Sequence, residues 1–213
     1  ALLRVILMNE ASKKVKNKLY EQKKIYLSII ITIALGIISG IIYNLILSKS
    51  DHTLITNQLN SFFDAIKKND INYIPMLFNS LIGNLSLVIL IWLLGISIIG
   101  LPLIYILCFG KGFLLSFSII SILTTYKFKG IILVVCYLIP GPIILLLYLI
   151  FLGFSSAFFS KKLFSYLFLK QDISLRHSMK RYLQVLLVSI VVAGCCSLFD
   201  TFFMPNFLKL FLL

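Results

Sequence analysis

Apolar residues run through this chain in long uninterrupted stretches set apart by short polar breaks, a pattern that points away from half-buried strands and towards helices buried on every side. The first such stretch, Ile25 to Leu47, carries no charge and exceeds the roughly 20 residues that a helix needs to cross a bilayer. Residues 48–78 break the pattern. Within them Ile55, Leu59, Phe62, Phe63 and Ile66 return at helical spacing among polar neighbours, which predicts an amphipathic helix lying on lipid or docking a partner. From Leu81 the chain is again almost wholly apolar, and the remaining spans are expected at 82–108, 112–126, 131–159 and 183–203. The expected fold is therefore all-α: a polytopic integral membrane protein with about five transmembrane helices, spans 2 and 4 interrupted by glycine and proline. A basic N-terminal segment, 1–24, precedes a single multi-span domain, 25–213.

The stretch from Gly95 to Gly112 admits two partitions. One ends a span at residue 108 and sets Lys111 at a membrane edge, where its ammonium can reach water. The other breaks the helix at Gly100-Leu101-Pro102 and leaves Lys111 at mid-bilayer, where it needs a partner. The first is adopted: Gly95, Gly100 and Pro102 become close-packing and bending positions, and Lys111-Gly112 the inner turn into a short third span. Pro140-Gly141-Pro142 must interrupt the fourth span, and such backbone has to be buried in protein or line a cavity. Gly36 and Gly40 allow close helix approach, within the chain or to a partner.

Composition sharpens this picture. The chain is 213 residues long, 60% hydrophobic, with a mean hydropathy of +1.05, well above soluble usage. Its 20 Lys plus Arg against 7 Asp plus Glu give a net charge of +13. In a membrane protein that excess is read as orientation and contact with anionic lipid, with no nucleic-acid partner expected. Most basic residues fall in segments 1–24 and 160–182, so the positive-inside rule places the N-terminus in the cytoplasm and loop 48–78 outside. The first apolar run is longer than a signal peptide's core, so it is expected to be retained as a span. Cys108, Cys136, Cys195 and Cys196 lie inside apolar runs and read as small core residues.

Candidate chemistry is sparse. His52 and His177 stand in separate polar segments without carboxylates at ligand spacing, and Gly110-Lys111-Gly112 lacks the frame of a phosphate-binding loop. No enzyme activity, cofactor or metal is expected. Lys111 and Asp200, the latter in the outer half of the last span, are the ionisable residues that stand out, and nearness to helix ends gives both a structural reading.

The run Trp92-Leu-Leu-Gly95-Ile-Ser-Ile-Ile-Gly100-Leu-Pro102, followed by Lys111-Gly112-Phe113, resembles the stage II sporulation protein M family of endospore-forming Firmicutes. So does the layout: a basic start, one span, an outer loop, Asn79 ahead of span 2, and a proline-broken span 4. That family often carries Pro-His-Gly-x-x-Glu in span 4. The corresponding positions here are Pro140, Gly141, Pro142 and Leu145, so no role of the missing histidine and glutamate transfers. The resemblance implies a non-enzymatic scaffold of the engulfment machinery at the mother-cell septal membrane. It further implies partnership with two membrane-anchored peptidoglycan hydrolases, a lytic transglycosylase and an amidase/endopeptidase. The interrupted helices leave a second reading open, a small transporter or lipid-translocating protein.

Overall fold

A computed structural model describes the backbone of residues 2–68, 72–97, 99–138, 141–168 and 175–212, and the side chains of 22–68, 72–97, 99–135, 141–168 and 175–209. Pro140 and the Cys136 side chain lie outside the described residues. All described elements are helical: α1 Leu2–Ile46, α2 Lys49–Lys67, α3 Tyr73–Ile96, α4 Gly100–Leu138, α5 Gly141–Phe168, α6 Leu175–Leu198, a π-helical turn Phe199–Phe203 and α7 Met204–Leu212. Five of the helical stretches are long and apolar enough to cross a membrane, which makes this an all-α multi-pass membrane protein.

The breaks between helices fall elsewhere than the adopted partition puts them. Helix α3 ends at Ile96, Ser97 turns extended (φ −95°, ψ 136°), and α4 starts at Gly100 with Pro102 in its first turn. Proline is tolerated there because the first-turn N–H groups have no intrahelical partner anyway. A Cβ on Gly100 would meet the Leu94 carbonyl oxygen, so the tight turn requires glycine. The alternative partition is thus the one the backbone follows. Lys111-Gly112 is mid-helix and not a turn, and Gly100-Leu101-Pro102 separates two helices instead of bending one.

Helix α4 is itself a hairpin. Lys127 sits at φ 50°, ψ −120°, outside helical space, and a Cβ on Gly130 would lie 2.8 Å from the Ile122 carbonyl oxygen. The segment after Gly130 therefore returns beside the one before Lys127, with Leu133 and Val134 buried in one cluster with Ile122. Helix α4 ends at Leu138 and α5 starts at Gly141, with Pro142 in its first turn.

Helix α1 packs mainly along α4. A Cβ on Gly36 would strike the Phe109 carbonyl oxygen, one on Gly40 the Ser116 hydroxyl, and one on Gly112 would sit 2.6 Å from the Ile33 carbonyl oxygen. Both members of the Gly36–Gly40 pair therefore face this chain's own α4, and Asn44 crosses the same seam to Ser121 at 2.8 Å. Gly36→Leu is expected to force the helices apart and lower stability by about 1–3 kcal/mol, readable by thermal unfolding in detergent.

At the end of the bundle away from α2, Trp92 (α3) and Phe159 (α5) sandwich the Tyr182 ring (α6), with centroids 5.3 and 4.3 Å away. The Tyr182 hydroxyl donates to the Trp92 carbonyl at 2.7 Å and shares a hydrogen with Ser156 Oγ at 2.8 Å. Trp92 Nε1 returns a bond to the Tyr182 carbonyl at 3.0 Å. Gly95 lies against this cluster, since its Cβ would collide with the Tyr182 hydroxyl. Ser160 Oγ donates to the Ser97 carbonyl at 2.9 Å and holds the end of α3 to α5.

Helix α2 forms as its pattern predicts. Ser48 caps it by accepting from the Asp51 N–H at 3.2 Å, with Asp51 in the first turn and Lys67 in the last. Its apolar face rests on the protein itself. Phe63 and Ile66 are buried against Ile122, Leu133 and Leu208, and the Tyr126 hydroxyl donates to Asn60 Oδ1 at 2.6 Å.

Candidate functional site

Lys111 lies eleven residues into α4, roughly 16 Å along the helix axis, about half the depth of a hydrocarbon core. A lone ammonium at that depth is costly, and the structure shows what accompanies it. Asp200, far along the sequence, faces the same cavity and interacts electrostatically with Lys111. Among the described residues no direct ion pair closes between them.

The position of Asp200 follows from its backbone. Pro205 has no N–H to offer the Thr201 carbonyl four residues back, and the helix passes this point with a π-helical turn over Phe199–Phe203. That wider turn carries Asp200. Its carboxylate sits against Gly141, where any Cβ would strike Oδ1, and so at the positive end of α5. Asn84, 8% exposed at the middle of α3, donates to Ser197 Oγ at 3.0 Å and lines the same cavity as the Asp200 carboxylate.

These groups line a cavity of about 250 Å³ with Ser80, Ser118, Pro142, Leu145, Met76 and Phe62. Phe62, Ser118 and Met204 also line an adjoining apolar groove of about 300 Å³ under α2, walled by Ile55, Leu59, Phe117, Ile122, Leu133 and Leu208. The arrangement is a chamber of mixed lining that holds one cation, one anion and several neutral hydrogen-bonding groups, next to a mainly apolar groove. Among the described residues no three His, Cys, Asp or Glu side chains gather as metal ligands.

The residues singled out from the sequence divide among several places. Lys111, Asp200, Pro142 and Phe62 meet at the chamber. Gly36, Gly40 and Gly112 belong to the α1–α4 seam, Gly95 to the Tyr182 cluster, and Gly100 and Pro102 to the α3–α4 turn. Phe63 is the buried anchor of α2, and Asn79 lines another hollow beneath α2 with Ala65, Asn72 and Pro205. Cys108 and Cys196 are buried and Cys195 is exposed, all three free. Sequence reading passed over Asn84, Ser80, Ser118 and Ser197. Asn84 was findable as an amide in the middle of an apolar run, which is costly unless satisfied.

The fold and the chamber define a class: a multi-span helical membrane protein built around a charged polar interior. A family model fits residues 28–205, and the chain belongs to the family of stage II sporulation protein M. It is accordingly a sporulation-related membrane protein. No match was found among curated proteins or among solved structures.

Proposed function

We propose that the protein is a non-enzymatic scaffold of the engulfment machinery, holding peptidoglycan hydrolases at the septal membrane while the septum is thinned and the mother-cell membrane migrates. The observation that carries this reading is α2. Its apolar face is anchored on the bundle by Phe63 and Ile66, so that Asp51, Thr53, Asn57, Ser61 and Asp64 are presented as an exposed polar surface. With the N-terminus in the cytoplasm, that surface faces the wall, where the lytic transglycosylase and the amidase/endopeptidase act.

Docking and folding are separable on α2. Phe63→Asp unseats α2 and confounds docking with folding, whereas Asn57→Arg with Ser61→Arg alters only the exposed face. The double variant is expected to keep the parent's thermal stability and to reduce hydrolase localisation at the septum at least about tenfold, as loss of a few polar contacts implies. Unchanged hydrolase recruitment, or normal engulfment in a strain lacking the gene, would sink the reading.

The chamber favours a second reading, a small transporter or lipid-translocating protein. Interrupted helices that meet at a polar mid-membrane cavity are the common ground of such proteins, and Gly141 at the start of α5 stands beside Asp200 here. Reconstituted protein that moves neither solute nor lipid would exclude it.

A further inference from the structure

The chamber holds an ammonium and a carboxylate that face a common cavity without joining. A buried pair recovers its desolvation cost only with close geometry and further hydrogen bonds, so two separated charges at this depth leave room for a guest that carries both signs. A guest with an anionic group alone would meet Asp200 as a like charge, and a simple cation would meet Lys111 in the same way. The donors suited to phosphate oxygens are Lys111 Nζ and the Ser80 hydroxyl, both lining the cavity. Asp200 is left for an ammonium.

The second observation is adjacency. Phe62, Ser118 and Met204 line both the chamber and the groove, whose walls are mainly apolar, with Gln58, Ser118 and Ser121 the polar exceptions, and suit hydrocarbon. Chamber and groove, about 250 and 300 Å³, together match the few hundred Å³ of ordinary ligand sites. A polar zwitterion joined to a hydrocarbon tail fills both.

We propose that the Lys111–Asp200 chamber binds the headgroup of a zwitterionic phospholipid of the ethanolamine type, phosphate towards Lys111 and ammonium towards Asp200, with an acyl chain in the groove beneath α2. A free amino acid or ethanolamine phosphate shares the head chemistry and leaves the groove unused. The inference rests on the cavity of the second reading and names its occupant. Binding is measured without transport, so a lipid that binds and does not move would overturn translocation while leaving the site intact.

The test uses the full-length protein in nanodiscs of phosphatidylglycerol containing a small fraction of phosphatidylethanolamine with a diazirine in one acyl chain. Illumination is expected to label α2 and the stretch from Phe117 to Leu133. Labelling should exceed that by the matching diazirine phosphatidylglycerol about tenfold, the scale of one charge-assisted hydrogen bond. Lys111→Met and Asp200→Asn should each lower the signal by a similar factor. Should those variants not fold, Ser118→Phe plugs the junction of chamber and groove with both charges in place, and it is expected to lower labelling as well. Equal labelling by the two lipids overturns the proposal, as does labelling unchanged by Ser118→Phe. Complete displacement by millimolar free ethanolamine phosphate or glycine overturns the lipid as the source of the zwitterion.

Discussion

Replacing Asp200 by alanine is expected to cost about 2 kcal/mol of stability. That is below the ~3–5 kcal/mol seen when one member of a closely joined, fully buried pair is removed, because Asp200 and Lys111 are half-buried and make no direct ion pair. The loss arises from what stays behind. Lys111 remains without the counter-charge that faces it across the cavity, while Asn84 keeps its bond to Ser197 Oγ. Removing both charges is a different experiment. Lys111→Met with Asp200→Leu fills similar volume with apolar atoms and is expected to recover most of the loss, because well-packed hydrophobic replacements of buried pairs are often neutral. Reversible unfolding in mixed micelles measures both. An Asp200→Ala protein as stable as the parent would mean that Lys111 reaches water or headgroups by another route, the behaviour expected of a lysine at a membrane edge.

That contrast shows where sequence reasoning was strong and where it stopped. The existence of five spans follows from run length and hydropathy, and the structure has five such helical stretches. The amphipathic α2 was legible because its period is local, each apolar residue found by counting three or four from the last. The border between the second and third spans was not. Choosing it turned on whether Lys111 has a partner, and the partner comes from a π-helical turn at the far end of the chain. Local pattern cannot report that meeting. The same holds for the face that α2 presents: periodicity marks Phe63 and Ile66 as apolar, and only the fold reveals that Ile122, Leu133 and Leu208 cover them. Gly36 and Gly40 stood between these cases, since small residues announce a close approach without naming the neighbour.

The distribution of polar groups also bears on how the scaffold reading and the chamber fit together. Much of the bundle is held by short-range hydrogen bonds between neighbouring helices, as at Asn44–Ser121 and Tyr148–Ser189, 2.8 and 2.9 Å. Those bonds are made inside the chain. The chamber differs in holding opposite charges that the protein does not join, directly beneath the helix proposed to face hydrolases. A guest in the groove would touch α2 through Ile55, Leu59 and Phe62, so occupancy and the presentation of the outer surface share contacts.

Tyr182→Ala is the second change expected to have a large effect, about 3–5 kcal/mol, the cost of emptying an aromatic side chain from a packed site. Tyr182 is 3% exposed, stacked between Trp92 and Phe159, and joins α6 to α3 and α5 through its hydroxyl. Tyr182→Phe keeps the ring stack and gives up the hydroxyl, so the expected loss falls to about 1 kcal/mol. Gly95 supplies the discriminating cycle. Its missing Cβ leaves space for the Tyr182 hydroxyl, with Ser156 Cβ 2.8 Å from where that carbon would be. Gly95→Ala should therefore cost more in the parent than in the Tyr182→Phe background, where one of the two obstacles is gone; the remaining penalty in that background measures the backbone approach of α3 to α5 at Ser156. Additive costs for Gly95→Ala and Tyr182→Phe would show that the hydroxyl is not what excludes a side chain at position 95.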